Sequence, residues 1–144
     1  MELIEKKKIL IICTGNSCRS QIAEGFAHKV GWQAFSAGTQ PEATVNPFAV
    51  KVMSEIGIDI SHHKPQSMSE YLDDNFYLVA TVCDKAKETC LVFSGRCEYQ
   101  IHHRFNDPAD TTGSDREITD VYRRLRDEMQ VWMEKLSRDY LNNL

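Results

Sequence analysis

Residues 9–13, Ile-Leu-Ile-Ile-Cys, form an unbroken apolar run, and Thr14-Gly15-Asn16-Ser17-Cys18-Arg19-Ser20 and then a helical pattern follow at once. A continuous apolar run of this length marks a strand buried on both faces, the condition of strands in parallel sheets. Parallel neighbours require crossovers, usually helices. This one stretch therefore commits the chain to strand–loop–helix units in an α/β fold.

The rest of the chain repeats the unit. From Ser20 onward, Ile22, Ala23, Phe26, Ala27 and Val30 keep helical spacing until Gly31 stops them. Residues 33–37 read as a short strand running into Gly38. Asn46-Pro47 then starts a second helix carrying Ala49, Val50, Met53 and Ile56, ended by Gly57. The chain is expected to be extended around residues 58–61 and to make a short helix over 68–72. Residues 76–82 give a third strand, 99–105 a weaker fourth, and Ile118 to Tyr140 a long amphipathic helix. The expected fold is an open four-stranded parallel sheet flanked by helices, with residues 1–144 as one domain, since 144 residues suffice for one core and not comfortably for two. In such sheets ligands bind at the carboxyl ends of the strands, where strand order reverses. The Cys13 loop, Cys83 with Cys90 and Cys97 after it, and Asn106-Asp107-Pro108 all fall there.

The Cys13 loop reads as an oxyanion site. Cysteine and arginine bracket five residues, several of them small, so successive N–H groups of Thr14, Gly15, Asn16, Ser17 and Cys18 can turn inward at a helix N-terminus. The positive helix end, those amides and Arg19 favour thiolate over thiol at Cys13, as a sulfur nucleophile requires. Arg19 can fork two donors onto the anion, and Ser20 is read as the helix cap. The competing reading of Cys13 is a small buried hydrophobe. The strand–loop–helix context favours chemistry.

A net charge of −4, with basic residues scattered among acidic ones, gives no case for nucleic acid. Neither an apolar run of transmembrane length nor a secretory leader is read, so the expectation is a cytoplasmic protein without a membrane partner. Five cysteines without a leader argue for catalytic or redox thiols over static disulfides. The pairs His62-His63 and His102-His103 would point to opposite faces of a strand, so no metal site and no cofactor are expected. Nothing calls for an obligate dimer, and a monomer is expected.

With these residues assembled, the chain resembles the thioredoxin-recycled arsenate reductases of the low-molecular-weight phosphatase fold, which is related to flavodoxin. The resemblance rests on residues 13–25, Ser36-Ala37-Gly38, Asn46-Pro47, Ile58-Asp59-Ile60-Ser61, Cys83 with Cys90, and Asp107-Pro108-Ala109. It implies that Cys13 attacks arsenate, that Arg19 and the loop from Thr14 to Ser20 hold its oxygens, and that Asp107 protonates the departing one. Cys83 would then attack Cys13, and Cys90 would resolve the disulfide as Cys83–Cys90 for thioredoxin or a glutaredoxin to reduce. The competing reading of Asp107 is a turn residue ahead of proline. Seven helical steps would hold residues 83 and 90 about 10 Å apart. A disulfide allows Cα atoms no more than roughly 7 Å, so the segment cannot stay a rigid helix when oxidised. Some members of the family bind potassium through five residues; Asn16, Glu24 and Ser36 match three, but Lys64 and Gln66 replace the others, and the Lys64 ammonium is expected to take the ion's place.

The alternatives are a low-molecular-weight tyrosine phosphatase and a zinc or thiol-sensing module. Against the first, Ala109 rather than an aromatic follows Asp107-Pro108, and a phosphatase has no use for Cys83 and Cys90. Against the second, Cys83, Cys90, Cys97 and His102 lack the close cysteine pair of structural zinc sites.

Overall fold

The structure is a computed structural model that describes residues 6–84 and 92–141. Four strands, β1 (Lys8–Cys13), β2 (Gln33–Gly38), β3 (Asn75–Thr81) and β4 (Arg96–His102), form one parallel sheet in the order β2-β1-β3-β4. Three helices accompany it: α1 (Arg19–Val30), α2 (Pro47–Ser54) and α3 (Asp115–Tyr140), with 3-10 turns at Met68–Tyr71 and Pro108–Asp110.

The apolar run at β1 lies in the middle of the sheet, as its composition requires. Ile9 and Ile11 point into a layer built with Ile22 and Phe26 of α1, Val52 and Met53 of α2, and Leu125, Met129 and Met133 of α3. Leu10 and Ile12 point the other way, against Phe76, Val79 and Phe93. All four β1 side chains are fully buried, each worth about 1.5–3 kcal/mol of transfer free energy. The two layers differ in kind. The three helices share the first, and the second is closed by the Met68–Tyr71 turn and Phe93.

Local signals set the helix ends. Gly31 takes a left-handed φ of 111° and closes α1; Asn46 caps α2 by accepting from the Phe48 N–H, with Pro47 in its first turn. Ser114 and Glu117 form a reciprocal capping box that starts α3 three residues ahead of Ile118. Beyond α2, Glu55 clamps α3, accepting from Arg123 at 3.0 and 2.6 Å and from Arg126 at 2.9 Å. The Arg123 hydrogen bonds lead in holding its carboxyl down at about 2. A depressed carboxylate stabilises the fold above its unfolded pKa and loses that contribution as pH falls towards its folded one. Glu55→Gln is therefore expected to lower stability at pH 7 by about 1 kcal/mol or less, because exposed ion pairs are weak. The difference from wild type should shrink between pH 4.5 and 2, read by thermal melts across that range.

The fourth strand lies three residues earlier than its apolar pattern suggests, at 96–102 rather than 99–105. As an edge strand paired, among the described residues, to β3 alone, it is largely exposed, so pairing rather than an apolar pattern sets its limits. The correction leaves Asp107 five residues past the strand end instead of two, at the cap of the Pro108–Asp110 turn. Strand order reverses at β1, with β2 on one side and β3 on the other, and the crevice between the ends of β1 and β3 is where the loop after Cys13 emerges. Among the described residues no helix is long and apolar enough to cross a membrane.

Candidate active site

Cys13 is the last residue of β1, 2% exposed. The loop beyond it folds around Asn16, which is fully buried and left-handed at φ 51°, a region asparagine tolerates better than most residues. That conformation aims the Asn16 N–H at the Cys13 Sγ, 3.2 Å away. The Asn16 side-chain amide donates to Ser20 Oγ at 2.6 Å and Ser36 Oγ at 2.9 Å, while its Oδ1 accepts from the Gln66 N–H at 2.8 Å. Ser20 Oγ lies 2.9 Å from Cys13 Sγ. With an amide hydrogen already directed at its oxygen, Ser20 has its own hydroxyl hydrogen free for the sulfur. Two donors from one turn thus converge on Cys13, at the start of α1. Gly38 makes the packing possible: a Cβ there would sit 2.6 Å from the Thr14 carbonyl oxygen and 3.1 Å from the Asn16 nitrogen.

Arg19, 2% exposed, is anchored by Nη1 donating to the Phe105 carbonyl at 3.3 Å, and its Nη2 lies 3.4 Å from Asp107 Oδ2. The other oxygen of Asp107 accepts from the Ala109 N–H at 3.0 Å. Asp107 thus caps the turn before α3, as its place ahead of proline suggests, and also faces Arg19. Cys18 turns away from this work. Its thiol is 3% exposed, hydrogen-bonds Tyr122 at 3.3 Å, and is pushed up to about 11 by burial, with the Tyr122 bond acting the other way. A thiol that stays protonated is a poor nucleophile.

The sheet register brings Cys83 to the same end. Ile12 pairs with Thr81, and the Val82 N–H donates to the Ile12 carbonyl at 2.9 Å, so Cys83 leaves β3 one residue beyond the level of Cys13, on the neighbouring strand. Cys83 is fully buried and disulfide-bonded, whereas Cys13, Cys18 and Cys97 are free thiols. Cys90 lies outside the described residues. Cys97 pairs with Phe76 near the start of β4. Five residue steps carry the strand from it to His102 at the carboxyl end, roughly 16 Å. The register thus keeps Cys97 at the far end of the sheet, and burial leads in pushing its thiol up.

Beneath the loop, Ser36 Oγ donates to Glu24 Oε1 at 2.7 Å, and His63 Nδ1 lies 3.2 Å from Glu24 Oε2 and 2.9 Å from Gln21 Oε1. These residues do not suit the potassium ion implied by the family resemblance. Both Glu24 oxygens and Asn16 Oδ1 already face N–H or O–H groups, and the Asn16 amide presents hydrogens to the centre of the cluster. Nor is Lys64 the substitute. Among the described residues its recorded contact here is the backbone carbonyl, 3.5 Å from Gln21 Nε2, and the nitrogen meeting Glu24 is that of His63. The pattern missed this because residues 61–62 form a turn and not a strand: Ser61 N–H and O–H both donate to Asp59 Oδ1. His62 and His63 consequently stack edge to face at 4.7 Å instead of diverging. The Asp-x-Ser spacing was the available signal.

The family model for low molecular weight phosphotyrosine protein phosphatase matches residues 8–142. The chain is 43% identical over 129 residues to the arsenate reductase of Halalkalibacterium halodurans, covering 88% of this chain and 91% of that protein. It is 39% identical over 132 residues to that of Staphylococcus aureus strain Newman, covering 90% and 95%. Among solved structures, an arsenate reductase in the phosphate binding state superposes with a TM-score of 0.75 at 28% identity, over 93% of this chain and 98% of the other. A low molecular weight protein tyrosine phosphatase from T. tengcongensis gives 0.71 at 26% identity, over 93% and 99%.

Proposed function

We propose that this chain, which belongs to the low molecular weight phosphotyrosine protein phosphatase family, is an arsenate reductase that works through Cys13 and a second pair of thiols. The observation that carries the reading is the emergence of Cys83 beside Cys13 at the end of neighbouring strands, a placement that phosphate-ester hydrolysis does not need.

The Cys13 sulfur attacks arsenic, an As–S bond forms, and one arsenate oxygen leaves as water. Arg19 and the loop amides hold the remaining oxygens, and Asp107, beside Arg19 at the mouth, delivers a proton to the leaving one. Cys83 then attacks the Cys13 sulfur. The S–S bond forms as the As–S bond breaks, the electron pair goes to arsenic, and arsenite leaves reduced by two electrons. Cys90 next attacks Cys83 and frees Cys13; a dithiol of the thioredoxin type reduces the resulting disulfide, returning both thiols. A disulfide at Cys83 beside a free Cys13 fits the stage at which Cys13 has been released. Phosphate is nearly isosteric with arsenate, so slow phosphatase chemistry at Cys13 accompanies the reductase.

The test is arsenate-dependent NADPH consumption by the purified chain with thioredoxin and thioredoxin reductase. Consumption that requires all three proteins and arsenate is expected. Hydrolysis of aryl phosphates with no arsenate-dependent NADPH oxidation, with glutaredoxin and glutathione also failing, would make the chain a phosphatase.

A further inference from the structure

We propose that Arg104 is a positioning residue of the thiol relay: by pairing with Asp84 it stabilises the state in which Cys83 is disulfide-bonded, and so sets how readily that disulfide is reduced. The inference rests on the relay reading given above, in which Cys83 bonds first to Cys13 and then to Cys90. It begins from one contact at the root of the relay. Asp84, the residue after Cys83, has a side chain 3% exposed, and its Oδ2 lies 4.0 Å from Arg104 Nη1.

The backbone that carries the cation is held on both sides. The His103 N–H donates to the Thr81 carbonyl at 2.9 Å and the Phe105 N–H to the Val82 carbonyl at 3.1 Å, so residues 103–105 run on beside the end of β3 after β4 has finished. The rings flanking Arg104 turn towards α3. His103 stacks on Trp132 at 5.7 Å and 19°, and buried Phe105 meets the same indole edge to face at 5.4 Å. Phe105 also offers its carbonyl to Arg19 Nη1 at 3.3 Å, which ties this strap to the anion-binding loop. Arg104, between the two rings in the chain, reaches instead to Asp84. It is a cation on a fixed post.

Its partner has no such constancy. Cys83 bonds in turn to two different sulfurs, and the main chain leaving it through Asp84 cannot run the same way with both. The pair is present with Cys83 disulfide-bonded and Cys13 a free thiol, the stage that awaits an external dithiol. A contact made in one redox state and lost in the other shifts the balance between them by its own free energy. A buried carboxylate is costly without a cation, so Asp84 gains most from Arg104 in the state that buries it. Arg104 is itself 62% exposed, which limits the gain and makes it sensitive to salt. An arginine close to a thiol can also act in the opposite sense, by favouring thiolate and hence the reduced form. The two roles predict opposite signs.

The measurement is the equilibrium between the Cys83–Cys90 disulfide and its dithiol in mixtures of reduced and oxidised dithiothreitol, which passes two electrons and two protons to the disulfide and closes its own. Samples are quenched in acid, alkylated and mapped by mass. The proteins are wild type, Arg104→Gln, Arg104→Lys, Asp84→Asn and the double variant Asp84→Asn/Arg104→Gln, each melted to establish that it folds. Arg104→Gln is expected to shift the equilibrium about fivefold towards dithiol, the scale of an ion pair with one exposed member. Arg104→Lys should recover most of that, since a point charge serves at 4.0 Å. In the Asp84→Asn background Arg104→Gln should change nothing further, because the arginine acts through the carboxylate. In 1 M sodium chloride, where the Debye length falls to about 3 Å, the wild-type value should move towards that of Arg104→Gln.

An Arg104→Gln protein with the wild-type equilibrium overturns the proposal. So does a shift towards disulfide, which would make Arg104 a thiolate-stabilising charge on Cys83, or an undiminished Arg104→Gln effect in the Asp84→Asn background. If Arg104→Gln does not fold, Asp84→Asn and the wild-type salt series decide: an Asp84→Asn equilibrium equal to wild type, or a wild-type equilibrium unmoved by salt, has the same force. Wild type that shows no Cys83–Cys90 disulfide after treatment with arsenate would instead overturn the relay reading itself.

Discussion

Replacing Cys13 with serine is expected to abolish arsenite formation and the accompanying phosphatase chemistry together, by roughly 10⁴-fold or more, the scale of losing a nucleophile that acts as part of a unit. The loss has two separate causes. A serine hydroxyl in place of Cys13 is not ionised near neutral pH, and the two donors converging on the sulfur, from Asn16 and Ser20, do not change that. For the reductase a second cause dominates, since an alkoxide–arsenic adduct has no S–S bond to form and hence no way to pass electrons to arsenic. The fold should survive, because Cys13 is small and its layer is held by Ile9, Ile11 and the three helices. Circular dichroism with arsenite and phosphate-release assays on one preparation checks this. Measurable arsenite turnover in Cys13→Ser would displace Cys13 from the centre of the mechanism.

The second large effect separates two chemistries that share one loop. Hydrolysis of a phosphate ester exchanges no electrons, so Cys13, Arg19, Asp107 and water suffice for it. Arsenate reduction consumes two electrons per turnover, and a second thiol must supply them. Cys83→Ser is therefore expected to stop arsenite formation while leaving slow phosphate-ester hydrolysis close to wild type, a split that no general destabilisation would produce. Cys90→Ser should behave differently from both. Its first turnover can still join Cys13 to Cys83, but that disulfide would be anchored between two strand ends, where Cys13 and Cys83 are both buried, and an external dithiol would reach it poorly.

Much of this was legible because the informative residues are local. Ile9 to Cys13 read as a buried parallel strand, and Cys13 with Arg19 bracketing small residues as a tight turn at a helix start; the sheet order, the helices and the position of Arg19 agree with that reading. What was not legible depends on neighbours remote in sequence. The limits of β4 are set by pairing with β3 and not by its own weak pattern. The partner of Glu24 is set by a turn closed through Asp59, which brings His63 rather than Lys64 to the carboxylate. The Cys-x5-Arg frame sets Cys13 apart from Cys18 in the sequence, but the partner that Cys18 packs against, Tyr122, lies more than a hundred residues away. Cys97, which the sequence places with the thiols at the carboxyl ends of the strands, lies at the other end of the sheet by its register with Phe76.

The relay is the central claim, and a quenched time course of arsenite formation with disulfide mapping tests it most directly, run on wild type, Cys90→Ser and Cys97→Ser with thioredoxin and its reductase in excess. Wild type and Cys97→Ser should turn over continuously. Cys90→Ser should release about one arsenite per enzyme and then nearly stop, with Cys13 and Cys83 found joined. Sustained wild-type turnover in Cys90→Ser would contradict the relay, and a single burst in Cys97→Ser instead would show that Cys97 is the third thiol.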